Sequence, residues 1–290
     1  MSSSVAADKA DPQRIALYKG MEVRQENEYE RLRKQHELHM TAMNRVLIRA
    51  PLPKTKPIRI LDSATGDGLW MVDALKQFPE ASFVGTDIFE KHFEQIQDLP
   101  SAITFKVQSV MDKWPVEDQN AYDLVHQRYC LAMFSPEKEA AIVKRLFGLV
   151  KSGGFIQLVD ADLVSYDGGE EHPGMTRMMN YMQRGFTEAG MNPSPGPSIA
   201  GWLRDSGAVN IQERVLSFPM GCQAATLEDQ ISTTNNLTNM IDNFAMIGSK
   251  TPNYWYTPKE FESLKEAVVK EMAEIGNTWR FWVVTGQKPI

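Results

Sequence analysis

The sequence predicts an α/β fold with a parallel, doubly wound sheet, and three observations lead to this expectation. Short apolar runs with the length of strands alternate along the chain with longer runs that have helical periodicity. Strands that are separated by helices form parallel sheets with helices on their faces. The apolar run at 58–62 enters a glycine-bearing turn at 62–68, and open α/β sheets bind ligands beyond such strand ends.

The first half of the chain contains most of this alternation. Residues 14–48 are predicted to be an amphipathic helical segment, which the prolines at 51, 53 and 57 end, because proline does not continue a helix. Short apolar runs predict strands at 58–62, 82–86, 103–107, 122–126 and 154–161. Helical periodicity predicts the intervening helices at 68–78, 90–97 and 136–150.

The second half is predicted to complete the sheet and to cover it with a cap. Strands are expected at 209–218 and 279–286, and helices at 173–190, 198–206, 226–246 and 258–275. Segments 165–195 and 220–256 are rich in methionine and aromatic residues, which can line an adaptable apolar pocket or simply form helix core. The organisation is then a disordered leader at 1–13, a helical segment at 14–50 and one domain at 51–290 that carries the cap.

Composition limits the kinds of function. The 290 residues suffice for one large domain, and the formal net charge is −6 without a long basic run, which disfavours nucleic-acid substrates. Two cysteines do not make a disulfide framework, and no Cys/His cluster has metal-ligand spacing. No run is long and apolar enough for a signal peptide or a membrane span, so we expect a soluble, cytoplasmic protein.

The turn after the first strand and the end of the second strand predict an adenosine ligand. Asp87 follows the turn by about 20 residues, the spacing at which a carboxylate accepts both ribose hydroxyls. The turn lacks the Gly-x-Gly-x-x-Gly pattern of dinucleotide sites, and a phosphate-binding lysine followed by Ser or Thr is absent. A zwitterionic adenosine derivative without phosphate fits better. Asp62 is placed near its amino group, while Ala64, Gly66 and Gly68 keep side chains out of its path.

From these motifs, residues 58–165 resemble the class I S-adenosylmethionine-dependent methyltransferases. The resemblance implies a Rossmann-like sheet of seven strands, the last of them antiparallel, with S-adenosylmethionine as the cofactor. Further motifs resemble fungal methyltransferases of secondary metabolism, relatives of the velvet-complex type and of the enzymes that methylate thiols of gliotoxin-type compounds. They comprise Trp114-Pro115, Asp123 to Arg128, Trp202 to Gly207 and Val284 to Pro289.

The resemblance also implies which residues contact the cofactor. Ile88 lies against the adenine, the loop after the third strand touches the adenine amine, and the fourth strand ends beside the methionine part. As a fork donor, Arg128 would hold the methionyl carboxylate or a substrate oxygen, although an ion pair with Asp123 or Glu137 is an equal alternative. The complete predicted set is Tyr29, Asp62, Ala64, Thr65, Gly66, Gly68, Asp87, Ile88, Ser109, Val110, Met111, Gln127 and Arg128.

Histidines are the candidate bases, because a thiol or phenol acceptor must lose a proton and an unperturbed histidine titrates near pH 6.5. The order of preference is His36, on the leading helix, then His126, at the end of the fourth strand, and then His172, where the cap begins. For each of them, a purely structural role is the competing interpretation.

The predicted function is methyl transfer to a small secondary metabolite, with a lean towards the sulfur of dithiol substrates. Oxygen or nitrogen of another metabolite is the first alternative, and a regulatory protein with the methyltransferase fold is the second. A third alternative is a relative that uses the sulfonium only to stabilise charge in a non-methylating reaction. Methyl transfer itself requires mainly that acceptor, methyl and sulfur are aligned and that water is excluded.

Overall fold

The computed structural model describes residues 25–290, with side chains from Tyr29 onward, and its centre is one seven-stranded sheet. The strand order is β3-β2-β1-β4-β5-β7-β6, in which β1 to β5 are parallel and β7 is antiparallel to both of its neighbours. The strands are β1 (Arg59–Ser63), β2 (Ser82–Asp87), β3 (Ile103–Val107), β4 (Tyr122–Arg128), β5 (Val150–Ala161), β6 (Val209–Met220) and β7 (Asn277–Gln287). The predicted class I sheet, including its antiparallel last strand, is confirmed.

Seven α-helices in the described residues surround this sheet. They are α1 (Gln25–Ala42), α2 (Leu69–Gln77), α3 (Pro136–Leu149), α4 (Pro173–Glu188), α5 (Ile199–Asp205), α6 (Leu227–Lys250) and α7 (Pro258–Glu274). Local chemistry explains several starts. A proline occupies the first turn of α3, α4 and α7, and Thr257 forms a capping box with Glu260 at α7. Among these helices, none has the length and apolarity that crossing a membrane requires.

Two predicted helices differ from the structure. The leading helix ends at Ala42 rather than at residue 48, because Asn44 and Arg45 adopt left-handed backbone and Arg49 N–H then donates to Gln157 Oε1 on β5 at 2.8 Å. The helix predicted at 90–97 is a 3₁₀ turn, Glu90–Glu94, which buries no residue and therefore has no apolar face to stabilise a longer helix. The leader at 1–13 and residues 14–24 lie outside the described residues.

The central strands β1, β2 and β4 are buried on both faces, as is typical of parallel strands that are covered by helices on each side. Leu61, Val125 and Leu158 pack with α3 and α5 on one face, whereas Ile60 and Leu124 pack with α2 on the other. The carboxyl ends of β1, β2 and β4 meet at one edge, since Leu61 is in register with Val84 and Val125. This edge is where the predicted site residues lie.

The predicted cap is built by α4, α6 and α7, which pack against the β6–β7 side of the sheet. The cap methionines divide into two groups. Met175, Met178, Met182 and Met220 are fully buried in the core that these helices share, which is the structural interpretation offered for them. Met179 and Met240 are only partly buried against the same core. The cap is thus an apolar layer whose inner part is packed.

Candidate active site

The turn that follows β1 is held against the end of β2. Ala64, Gly66 and Gly68 have φ values of 55°, 60° and 83°, so the chain reverses within five residues. Thr65 N–H donates to Thr86 O at 2.9 Å, and Gly66 N–H donates to Asp87 Oδ2 at 3.0 Å. The structure therefore brings the predicted cofactor turn and the predicted ribose carboxylate into direct contact.

Two glycines of this turn serve different purposes. A Cβ built on Gly66 meets nothing within 4 Å, so its backbone faces open space, as the predicted approach of a ligand requires. A Cβ on Gly68 would lie 2.6 Å from the Phe105 ring and 3.2 Å from Met71. The expectation that Gly68 clears the path of the ligand is therefore corrected, because its missing side chain makes room for packing beneath the turn.

Asp62 and His126 form a buried pair under the turn. His126 Nδ1–H donates to Asp62 Oδ1 at 2.7 Å, and Thr65 Oγ1–H donates to Asp62 Oδ2 at 2.6 Å. The His126 ring stacks on Trp70, with centroids 3.7 Å apart. Burial lowers the pKa of His126, and Asp62 only partly opposes this shift. Both carboxylate oxygens of Asp62 are thus engaged by the chain itself, which supports a role in shaping the turn.

Asp87 lies at the end of β2, where its carboxylate accepts hydrogen bonds from two backbone N–H groups. Its Oδ1 accepts from Phe89 N–H at 3.1 Å, in addition to the bond from Gly66. Tyr29 of α1 and His92 share a hydrogen bond of 2.6 Å beside this end of the sheet, so α1 reaches over the predicted ribose position. Ile88, the predicted adenine neighbour, is 40% exposed. His92 lies in the segment predicted as a helix at 90–97, and nothing in the sequence connects it with Tyr29.

The loop after β3 presents less to a ligand than the sequence predicts. Val110 is buried in the core beneath α3, so its side chain does not face the edge of the sheet. Ser109 Oγ accepts from Met111 N–H at 3.1 Å, and Met111 O accepts from Arg145 at 2.9 Å. A contact of Val110 with adenine is therefore limited to its backbone.

Arg128, at the end of β4, forms no ion pair within the described residues, although the charges of Asp62 and Asp67 partly favour its charged form. Burial lowers the pKa of Arg128, and its Nη1 is buried with no hydrogen-bond partner among the described residues. Its alternative partner Asp123 instead accepts from Lys151 at 2.7 Å and from the Arg59 backbone. An ion pair with Asp123 is thus not formed, and a buried cation with an unused donor fits the predicted carboxylate of a ligand.

Gln127, the other predicted contact on β4, is enclosed in the sheet. Its Nε2 donates to Ser63 Oγ at 3.1 Å across the β1–β4 pair, and the residue is fully buried. Gln127 Oε1 has no partner among the described residues. The side chain therefore ties the two strands together behind the edge of the sheet.

The three predicted bases are all bound to carboxylates. His36 Nε2–H donates to Asp73 on α2 at 2.9 Å, and His172 Nδ1–H donates to Glu271 on α7 at 3.0 Å, as His126 does to Asp62. His172 begins α4 in the cap and lies beside Asn277 at the start of β7, away from the turn. The base role stays a prediction for each histidine, and these contacts supply a structural role for all three.

Sequence reasoning missed two acids and an amide behind the loop that follows β4. Asp160 accepts from Leu131 N–H and Ala161 N–H, both at 2.9 Å, and burial raises its pKa to about 7 against these donors. Glu139 accepts from Asn192 at 2.9 Å, and burial likewise raises its pKa to about 7. An acidic residue between apolar neighbours in β5 was the available signal for Asp160, and the two acids fix the loop that follows β4.

We expect His36 to make a contribution to the free energy of unfolding that falls as the pH drops from 7 to 5. Burial and Arg128 lower the pKa of His36 to about 4, whereas an unfolded histidine titrates near 6.5. Between these values only the unfolded chain binds the proton of this histidine, so His36 favours unfolding by about 2 kcal/mol over this interval. Asp160 and Glu139, whose pKa values are raised, act in the opposite direction, so the effect of His36 is the difference between two proteins that share both acids.

Urea unfolding of the wild type and of His36→Gln at both pH values measures this effect. Glutamine keeps a donor for Asp73 but does not titrate, so the variant should lose about 2 kcal/mol less than the wild type. An identical pH dependence of the two proteins would contradict the assignment of the proton to His36.

Comparison with known protein families agrees with this geometry. The model of a methyltransferase domain matches residues 60–154, which extend from β1 into β5. The N-methyltransferase sirN of Leptosphaeria maculans is 34% identical over 268 residues, which cover 91% of this chain and 93% of that protein. The N-methyltransferase tcpN of Claviceps purpurea is 31% identical over 272 residues, covering 91% and 95%.

Solved structures share the fold at lower identity. A putative methyltransferase of Bacillus halodurans has a TM-score of 0.51 at 16% identity and covers 86% of this chain and 98% of that chain. Phosphoethanolamine N-methyltransferase 2 of Haemonchus contortus, solved with S-adenosyl-L-methionine, has a TM-score of 0.50 at 14% identity, covering 86% and 52%. From its match to whole-length relatives and from the turn, the carboxylate and the sheet described above, the chain belongs to the S-adenosylmethionine-dependent methyltransferases.

Proposed function

We propose that this enzyme transfers the methyl group of S-adenosylmethionine to a nitrogen of a small, largely apolar secondary metabolite. The observation that carries the proposal is the likeness to proteins named N-methyltransferases over 91% of the chain. The residues outside the match are fewer than the residues of either cap segment, so the match extends into both cap segments. The likeness therefore includes the part of the chain that would receive the acceptor. The relatives favour nitrogen over the sulfur towards which the motifs leaned.

The cofactor fits the residues at the edge of the sheet. Asp87 would accept the ribose hydroxyls, Arg128 would donate to the methionyl carboxylate, and the backbone around Gly66 would lie along the methionine arm. The open space above Gly66 and the unpartnered Nη1 of Arg128 support these contacts. When bound, S-adenosylmethionine supplies an electrophilic methyl on its sulfonium, and the protein orients the acceptor towards it.

The state of the histidines supports nitrogen as the acceptor atom. A neutral amine attacks with its own lone pair and releases its proton after the transfer, whereas a thiol or phenol must lose its proton first. Burial lowers the pKa of His36 and His126, which makes both weaker proton acceptors than an exposed histidine, and His172 lies at the start of α4 in the cap. The edge of the sheet is thus better suited to orienting an acceptor than to deprotonating one.

The cap supports an apolar acceptor. Tyr181 on α4 lies 5.1 Å from Phe244 on α6 and 5.0 Å from Trp255, measured between ring centroids. Partly buried methionines, Met179 and Met240, pack against the same cluster. Rings and thioethers of this kind bind apolar ligands through contact area rather than hydrogen bonds.

Mass spectrometry of reactions with S-adenosylmethionine labelled in its methyl group tests the proposal. The acceptors are matched sets of secondary amines, amides, dithiols and phenols, and calorimetry measures cofactor binding in parallel. We expect label on nitrogen in the amine or amide set and none with Asp87→Ala. Label on sulfur or oxygen alone would contradict the choice of nitrogen. Cofactor binding without label in any set would contradict the acceptor class.

We also propose that the enzyme acts in the cytoplasm on a free small molecule rather than on nucleic acid. The net charge of −6 supports this substrate class, and the lack of a disulfide among the described residues supports this location. Cell fractionation of a tagged chain tests it, and enrichment in a membrane or secreted fraction would contradict it.

A further inference from the structure

Tyr129 has an unusual backbone conformation immediately after β4. Its φ is 54°, in the left-handed region that bulky residues rarely occupy. Most of the other non-glycine residues with positive φ in the described chain are asparagine or aspartate, which tolerate this region. A conformation of this kind costs about 1–3 kcal/mol and persists only where the surroundings enforce it.

The position of Tyr129 matches that of a second left-handed residue in the cofactor turn. Ala64, with φ of 55°, follows β1, and Tyr129 follows β4. These strands are neighbours, and Ser63 is in register with Gln127. Both left-handed residues therefore lie at the same edge of the sheet, on the two sides of the predicted methionine position.

Three contacts enforce the conformation of Tyr129. Its N–H donates to Val159 O on β5 at 2.9 Å, and its ring stacks on Trp279 of β7, with centroids 5.7 Å apart. Its hydroxyl shares a hydrogen bond of 3.2 Å with His39 Nδ1 on α1. Tyr129 is thus fixed from β5, β7 and α1 together.

The ring of Tyr129 is also a neighbour of Arg128. The guanidinium carbon lies 5.6 Å from the ring centroid, within the range of a cation–π contact. Because Arg128 Nη1 is buried without a partner in the described residues, the ring helps to hold a guanidinium group that has an unused donor.

We propose that Tyr129 is a positioning residue that orients Arg128 towards the methionyl carboxylate of the cofactor. The inference rests on the proposed contact between Arg128 and that carboxylate. The left-handed turn places the ring against the guanidinium, and Trp279 and His39 keep the ring in place. Loss of the ring should therefore lower the affinity only for those ligands that carry the methionyl carboxylate.

Two ligands and two variants separate this role from general stability. S-adenosylmethionine carries the amino-acid arm, and 5′-methylthioadenosine lacks it. Tyr129→Asn accepts left-handed backbone but removes the ring, and Tyr129→Phe keeps the ring but loses the hydroxyl. By calorimetry we expect Tyr129→Asn to lower the affinity for S-adenosylmethionine about tenfold or more, which is equivalent to one lost contact of a charged group. The affinity for methylthioadenosine should fall less than twofold. Tyr129→Phe should fall between Tyr129→Asn and the wild type for S-adenosylmethionine.

Tyr122→Phe is the matched control, because it removes another buried tyrosine hydroxyl from the opposite end of the same strand. Tyr122 donates to Asp118 at 2.6 Å, far along β4 from Arg128. This substitution should lower the melting temperature of the protein without changing the ratio of its affinities for S-adenosylmethionine and methylthioadenosine. Equal losses for both ligands in the Tyr129 variants, or an unchanged affinity for S-adenosylmethionine, would overturn the positioning role. If Arg128→Met also weakens both ligands equally, the proposed carboxylate contact itself is wrong.

Discussion

Asp87→Ala is expected to abolish measurable binding of S-adenosylmethionine in a calorimetric titration. The carboxylate would accept two ribose hydroxyls, and it already accepts the N–H groups of Gly66 and Phe89. Its removal therefore deletes the ligand contacts and releases the turn that would lie along the methionine arm. Charged hydrogen bonds contribute about 1.5–3 kcal/mol each, so we expect the affinity to fall at least about a hundredfold.

Asp112→Ala is the control for this experiment. Asp112 is an exposed carboxylate near the same end of the sheet, in the loop after β3. Its removal changes the net charge as Asp87→Ala does, so a general electrostatic effect on binding would appear in both variants. Wild-type affinity in Asp87→Ala would contradict the ribose assignment.

Arg128→Met is expected to have two effects of opposite sign. The free energy of unfolding of the ligand-free protein should rise by about 1 kcal/mol or more, because a desolvated cation that forms no ion pair with the described residues is replaced by an apolar side chain of similar length. The affinity for S-adenosylmethionine should fall about a hundredfold, since two charged hydrogen bonds to the carboxylate are lost.

Urea unfolding and calorimetry on the same preparations measure both effects. Arg128→Lys is the comparison, because it keeps the charge but not the planar fork, and it should retain an intermediate affinity without the gain in stability. A less stable Arg128→Met that still binds the cofactor as the wild type does would show that Arg128 serves the fold instead.

Most of the secondary structure followed from local chemistry. The strand at 103–107 was predicted with its exact bounds, although it is the outermost strand of the sheet and buries only Ile103, because its β-branched and aromatic residues favour extended backbone. The 90–97 prediction was wrong, because periodicity alone does not reveal whether a face has anything to pack against. The proximity of the turn around Gly66 to the carboxylate of Asp87 was also predictable from the sequence, because each follows a strand and neighbouring parallel strands end at the same edge.

Tertiary structure alone decided how the polar residues of the site are paired. His126 and Asp62 are 64 residues apart in the sequence, and Tyr29 and His92 are 63 residues apart. No periodicity in the sequence connects such pairs. His36 and His39, three residues apart on α1, bond to Asp73 and Tyr129 on different elements.

The sequence by itself determined the sheet, the turn and the acid that follows the second strand, because burial patterns and turn chemistry act over neighbouring residues. The lowered pKa of His36 and His126, the engagement of both Asp62 oxygens and the lack of a partner for Arg128 Nη1 among the described residues depended on strand register and on the docking of α1. Those properties arise from desolvation and from contacts between distant residues, which exist only in the folded chain.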